Sequence, residues 1–126
     1  KILNFTALVA VCLSDVKAPF SGNFTAWPAT HHLYEQYFKE HGPQSLLQGM
    51  PPVQLPEPLQ IIAKAGDIVL CHYQIAHSAA VNVSPFPRHA IFFRLTHVDH
   101  EAQREEAMKD IWLEWEGMAE IVAANQ

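Results

Sequence analysis

Charge is scarce in this sequence, and cysteine is scarcer. Only 17% of its residues are Asp, Glu, Lys or Arg, against 49% hydrophobic. That balance belongs to a chain that folds around a core, not to a disordered one. Basic residues are the fewer: eight Lys and Arg stand against thirteen Asp and Glu, a formal net charge of −5. A nucleic-acid groove needs a basic face, so that partner class is argued against. Long apolar runs are missing as well. The longest, Ala7 to Leu13, falls far short of the roughly 20 residues that cross a bilayer. No basic segment precedes it, so no signal peptide is read. Cys12 and Cys71 are the two cysteines, both inside apolar strand-like runs. Free buried thiols in a reducing, cytoplasmic setting are the expectation. Asn4-Phe5-Thr6 and Asn23-Phe24-Thr25 spell the glycosylation sequon, but without a secretion signal they carry little weight.

What is present suits one domain over the 126 residues, with no internal repeat and no low-complexity segment. Lys1 opens at once into a strand-like run, Ile2 to Leu13, rich in β-branched and apolar residues. The chain is therefore expected to be the C-terminal part of a longer domain. Asn23 to Trp27, Leu59 to Ala63, Asp67 to His72 and Arg88 to about Thr96 read as further strands. Thr30 is a candidate cap for a helix over His31 to His41, with Leu33, Tyr34, Tyr37 and Phe38 on one side. Gly42-Pro43 stops that helix. Pro43 to Pro58 reads as a proline-rich loop with one helical turn near Ser45 to Gln48. A long loop of this kind inside a small domain is usually functional. His100 to Ala124 predicts a single helix, with Asp99 as cap and Met108, Ile111, Trp115, Met118 and Val122 in one packing stripe. Many short strands with Gly and Pro turns indicate a mainly β sandwich or barrel carrying a C-terminal helix.

The chemistry gathers between Ala65 and Leu95. A Gly66-Asp67 turn opens an apolar strand that runs toward His77. A loop with Asn82 follows, and the next strand starts at Arg88. Imidazole is a common ligand for iron, zinc, copper and nickel. A guanidinium is a planar, permanently charged fork that matches a carboxylate bidentately. A histidine at one strand end facing an arginine at the next strand start is a place for a metal with a carboxylate beside it.

Gly66-Asp67, His77, Asn82 five residues on and Arg88 eleven residues on resemble the C-terminal signature of the phytanoyl-CoA dioxygenase-like family. Leu13-Ser14-Asp15, Gly22 and Trp27-Pro28-Ala29-Thr30-His31 are similar to that family's earlier segments, in the same order. The resemblance spans about Ala7 to Leu95. It implies a double-stranded β-helix (a jelly roll, cupin-like), incomplete at its N-terminus. It implies an iron(II)- and 2-oxoglutarate-dependent dioxygenase acting on a small organic or acyl substrate. Within it His77 is the metal ligand, and Arg88 with Asn82 is the cosubstrate-binding pair. Ala29 departs from the family's usual glycine, and Ala79 stands where a small hydroxyl residue is common.

Such an iron site needs two histidines and one carboxylate on one face. The family's His-x-Asp would precede Leu13-Ser14-Asp15, and none lies there in this chain. The one His-x-Asp present, His97-Val98-Asp99, comes after Arg88. It lies nine residues along the same strand, roughly 30 Å at about 3.3 Å per residue, too far to complete the site. His72 and His77 are an odd number apart, so a regular strand would set them on opposite faces. His31 is expected to cap or pack, and His32, His41 and His100 to lie on the surface. Arg94 shares the strand face of Arg88 and is the alternative acid binder. Should the chain alone turn over, Asp15 and His31 are the first candidates to complete a triad. A non-catalytic jelly-roll binding or structural module stays open beside the oxygenase, as does a metal-using cupin of another reaction type.

Overall fold

The computed structural model describes the whole chain, Lys1–Gln126. Six strands form two antiparallel sheets of three. The first sheet has β1 (Ala7–Cys12) at its centre, flanked by β4 (Ile68–His72) and β6 (Ala90–Leu95). The second has β2 (Phe24–Ala26) between β3 (Leu59–Gln60) and β5 (His77–Ala79). Helix α1 (Thr30–His41) and a 3-10 helix (Pro43–Gln48) follow β2. Three short helices close the chain: α2 (His100–Gln103), α3 (Glu106–Lys109) and α4 (Met118–Ala124). The mainly β expectation is met only in part. Helix and strand take similar shares, and the sheets do not close into a barrel. No helix is long and apolar enough to cross a membrane.

The strand at the head of the chain is shorter than Ile2 to Leu13. Pairing with β4 and β6 begins at Ala7, where Ala7 stands opposite both His72 and Leu95. Ile2 instead leaves the sheet and packs against Tyr34, Phe38 and Met108, a buried cluster roofed by α1 and α3. The Gly66-Asp67 turn forms as the sequence indicates. Asp67 Oδ2 accepts from the Lys64 backbone N–H at 2.8 Å, and Gly66 takes φ +94°. The turn ties back to β1, because Gly66 N–H donates to the Cys12 carbonyl at 2.7 Å. β3 and β4, adjacent in sequence, go to different sheets. A single residue of difference in register would turn every apolar side chain over. Here Val9, Val11, Ile68, Leu70, Ile91 and Phe93 share one face of the first sheet, and Leu8, Ala10, Val69, Cys71 and Phe92 share the other.

Helix α1 begins one residue before the expected start. Its N-cap is Ala29, in the left-handed region at φ +62°, and Thr30 lies inside the helix. Thr30 does not cap α1. Its hydroxyl donates to the Trp27 carbonyl at 2.7 Å and accepts from the Ala76 N–H at 2.8 Å, pinning α1 to the segment before β5. Of the four side chains expected on its packing side, Tyr34 and Phe38 are buried and Tyr37 is half-buried, but Leu33 is exposed.

The single C-terminal helix is overturned. The chain breaks after α3 at Asp110, which is extended, and turns again before α4 at Gly117, which is left-handed. Tertiary hydrogen bonds take the backbone groups that a continuous helix would need. The Ile111 N–H donates to Glu35 Oε2 at 2.9 Å, and its carbonyl accepts from His72 Nε2 at 2.7 Å. Ile111 is buried as expected, at 2% exposure. Trp115 is only half-buried, stacked on His72 with ring centroids 5.5 Å apart. Cys71 is buried and its thiol is pushed up to about 11 by that burial, while Cys12 is half-buried; both are free.

Candidate functional site

β5 and the segment leading into β6 bring His77 and Arg88 to the same place. Both line a cavity of about 420 Å³ between the sheets, with Phe5, Phe24, Phe92 and Arg94 on its walls. Its only charged lining residues are the two arginines. The His77 ring lies parallel to Phe24 at 5.7 Å between centroids, and Phe24 stacks on Phe92 at 6.4 Å. The Arg88 guanidinium sits 5.5 Å from the centre of the Phe92 ring, and that of Arg94 sits 5.4 Å from the centre of Phe5. These cation–ring contacts hold the arginines without neutralising them. Neither arginine forms a salt bridge within the chain.

Local structure explains each position. His77 Nδ1 lies 2.8 Å from the Ile75 carbonyl oxygen and donates to it, which leaves Nε2 as the free lone pair. A backbone partner of this kind also orients the histidines that ligate metals. Gly22 is a requirement of Arg88. A Cβ at Gly22 would stand 3.2 Å from Arg88 Cβ and 3.7 Å from its Nε, and the residue already holds φ +75°. Glycine alone suits both the backbone and the close approach.

The structure does not bring Asn82 to this cavity. Its side chain is committed to the turn before Arg88: Nδ2 donates to the Phe86 carbonyl at 2.8 Å, and Oδ1 accepts from Ser84 N–H and Oγ at 3.0 and 2.7 Å. Asn82 shapes the loop that delivers Arg88. Arg94 does reach the cavity, and the alternation Arg88, Ala90, Phe92, Arg94 is the sequence signal for it. Phe5 and Phe24, the ring supports, carried no such signal.

The expected separation of His72 from His77 holds, for a different reason. They do not share one strand: β4 ends at His72, and β5 starts at His77 in the other sheet. Both His72 nitrogens are engaged, Nδ1 accepting from the Gln74 N–H at 2.9 Å and Nε2 donating to Ile111. Burial holds its ring below the ordinary value. Asp15 and His31 do not lie on the His77 cavity. Asp15 Oδ1 accepts from the Ala65 N–H at 2.8 Å. His31 packs among His32, His72 and Trp112. Its Nδ1 is buried with no hydrogen-bond partner. Burial, then repulsion from His32 and His72, lowers its pKa from an ordinary 6.5 to about 4.

His100 is not a surface residue. It is 5% exposed, with Nδ1 2.9 Å from the Glu114 carboxylate and Nε2 3.0 Å from the Asn4 carbonyl oxygen. Burial alone would raise the Glu114 carboxyl, but hydrogen bonds from Thr6 and His100 outweigh it and hold the group below its usual range. This network clasps the C-terminal segment to residues 4–6. It is structural, none of its members lines the His77 cavity, and nothing in the local sequence pattern announced it.

No three His, Cys, Asp or Glu side chains converge anywhere on the chain as a metal-holding group. His77 is one ligand where an oxygen-activating iron needs three, so these residues by themselves do not fit the iron(II) that the family resemblance implies. The chain matches no protein-family model, no curated protein and no solved structure.

Proposed function

We propose that this chain carries the distal-histidine and arginine half of an iron(II)/2-oxoglutarate dioxygenase site, on the portion of a jelly roll that holds it. The observation that supports the reading is the common cavity of His77 and Arg88, whose only charged side chains are arginines and whose walls carry aromatic rings. The free Nε2 of His77 would face the metal side. The Arg88 guanidinium would receive the far carboxylate of the oxoacid, and Arg94 provides a second cation on the same wall. Ala29 adds support, because it takes the left-handed conformation that explains the glycine usual at that point of the resemblance. The reading requires a second histidine and a carboxylate from beyond these residues.

The test is cosubstrate binding without metal. Titration calorimetry of the 126-residue chain should show 2-oxoglutarate binding. Arg88→Ala should weaken it about ten- to a hundredfold, the worth of a charge-assisted pair, and His77→Ala should leave it nearly intact. The chain with added iron(II) should consume no 2-oxoglutarate. Equal binding by the parent chain and Arg88→Ala would end the assignment of Arg88. Steady consumption by this chain would mean that other side chains complete the metal site.

One observation favours a second reading, a binding module without catalysis: the missing convergence of three ligating side chains. In a longer parent protein the two separate cleanly. The oxygenase binds iron(II) tightly and Arg88→Ala raises only its oxoacid requirement, whereas the module binds no iron.

A further inference from the structure

His77 is a partition. On the side away from Arg88 it borders a second cavity, of about 390 Å³, which shares Tyr73, His77 and Ser78 with the first. The two differ in chemistry. No Asp, Glu, Lys or Arg lines the second one, and nine of its thirteen lining residues are hydrophobic. Trp27, Tyr34 and Phe38 make an aromatic wall, and Met50 and Leu55 of the proline-rich loop make the rim. The volume is that of a small-molecule site. Its few polar groups can orient a ligand but cannot neutralise one. The Gln74 amide is already engaged, its Nε2 donating to the Met108 carbonyl at 3.2 Å. A charged group entering this space would lose its water and find no counter-charge, which is strongly unfavourable.

From this partition we infer that the chain has a second binding site, formed by the proline-rich loop over α1, for an uncharged and mainly apolar small molecule whose edge meets His77. That this molecule is the one to be hydroxylated rests on the dioxygenase reading; that the cavity binds it does not. The loop that the sequence marked as functional thereby acquires a role as the rim of this site. Met50, 76% exposed at the mouth, is the flexible, polarizable kind of side chain that adapts to apolar ligands.

Two dyes with the same ring skeleton test it, neutral phenylnaphthylamine and anionic anilinonaphthalene sulfonate. Fluorescence titration of the chain carrying Arg88→Ala and Arg94→Ala, which removes the cations of the adjoining cavity, should show the neutral dye binding at least about tenfold more tightly, since the sulfonate must shed its water without a partner. Met50→Glu with Leu55→Glu, both at solvent-reaching positions, should weaken the neutral dye by a similar factor. Trp27→Phe should markedly reduce the tryptophan-to-dye energy transfer, since Trp27 is the only one of the three tryptophans lining this cavity. Leu70→Lys with Phe93→Lys, on the exposed sheet face, should change neither measurement. Equal affinity for both dyes, retained binding in the loop variant, unchanged transfer in Trp27→Phe, or loss in the sheet-face variant would each overturn the inference. Dye binding in a chain that fails to bind 2-oxoglutarate would leave this site standing and remove the dioxygenase reading alone.

Discussion

Ala29 holds φ +62°, a conformation in which Cβ crowds the following carbonyl. Glycine has no such crowding, though it loses more freedom on folding. Ala29→Gly is expected to stabilise the chain by about 0.5–1 kcal/mol, the difference between the two effects. Urea denaturation decides it, and an unchanged or lowered midpoint would show that Ala29 is not strained. A second residue-scale effect concerns pH. The His31 pKa falls from 6.5 to about 4 on folding, so between those values the unfolded chain binds its proton more readily. Stability is then full above the ordinary value and is lost as pH falls toward 4. Buried His72, also lowered, acts with the same sign. The urea midpoint should drop between about pH 7.5 and about pH 5, and His31→Gln should flatten the slope. A midpoint independent of pH over that window would contradict the burial of both rings.

Elements show where periodicity succeeds and where it fails. α1 forms close to its expected bounds, because its apolar spacing matches a surface that the fold does cover, whereas β1 keeps only Ala7–Cys12 of the expected Ile2 to Leu13. The stripe from Met108 to Val122 is also periodic, yet the chain bends out of it at Asp110 and Gly117. Glu35 and His72, remote in sequence, compete for the backbone of Ile111 and win. This predicts unequal losses along the stripe. Ile111→Ala should cost about 2–5 kcal/mol, as for an enclosed aliphatic residue. Trp115→Ala should cost less than the about 3–5 kcal/mol of a fully enclosed aromatic, because it is stacked on His72 with one side open. Chemical denaturation of the two variants gives the comparison, and a larger loss at Trp115 would mean that its ring is as enclosed as the side chain of Ile111.

The whole molecule leaves one sheet face uncovered. Ile68, Leu70, Ile91 and Phe93 on that face are 65%, 60%, 45% and 49% exposed. Contiguous apolar surface of this kind promotes association, and β4 and β6 are both edge strands. Light scattering of the chain should therefore rise with concentration, and Leu70→Lys with Phe93→Lys should suppress the rise. Equal scattering by both proteins would mean that the face is inert.

The sequence by itself determined the strands around Gly66-Asp67, the helix ending at Gly42, and the pairing of His77 with Arg88. The first two depend on short-range backbone chemistry, and the third on a short connection between β5 and β6 that carries both residues to one cavity between the two sheets. Tertiary structure alone decided the rest. It buried His100 against Glu114, turned Asn82 into a loop brace, gave the first cavity its Phe5 and Phe24 walls, and set an uncharged cavity behind His77. Those outcomes depend on which distant side chains share a hydrogen bond or exclude water, and no local pattern along the chain encodes that.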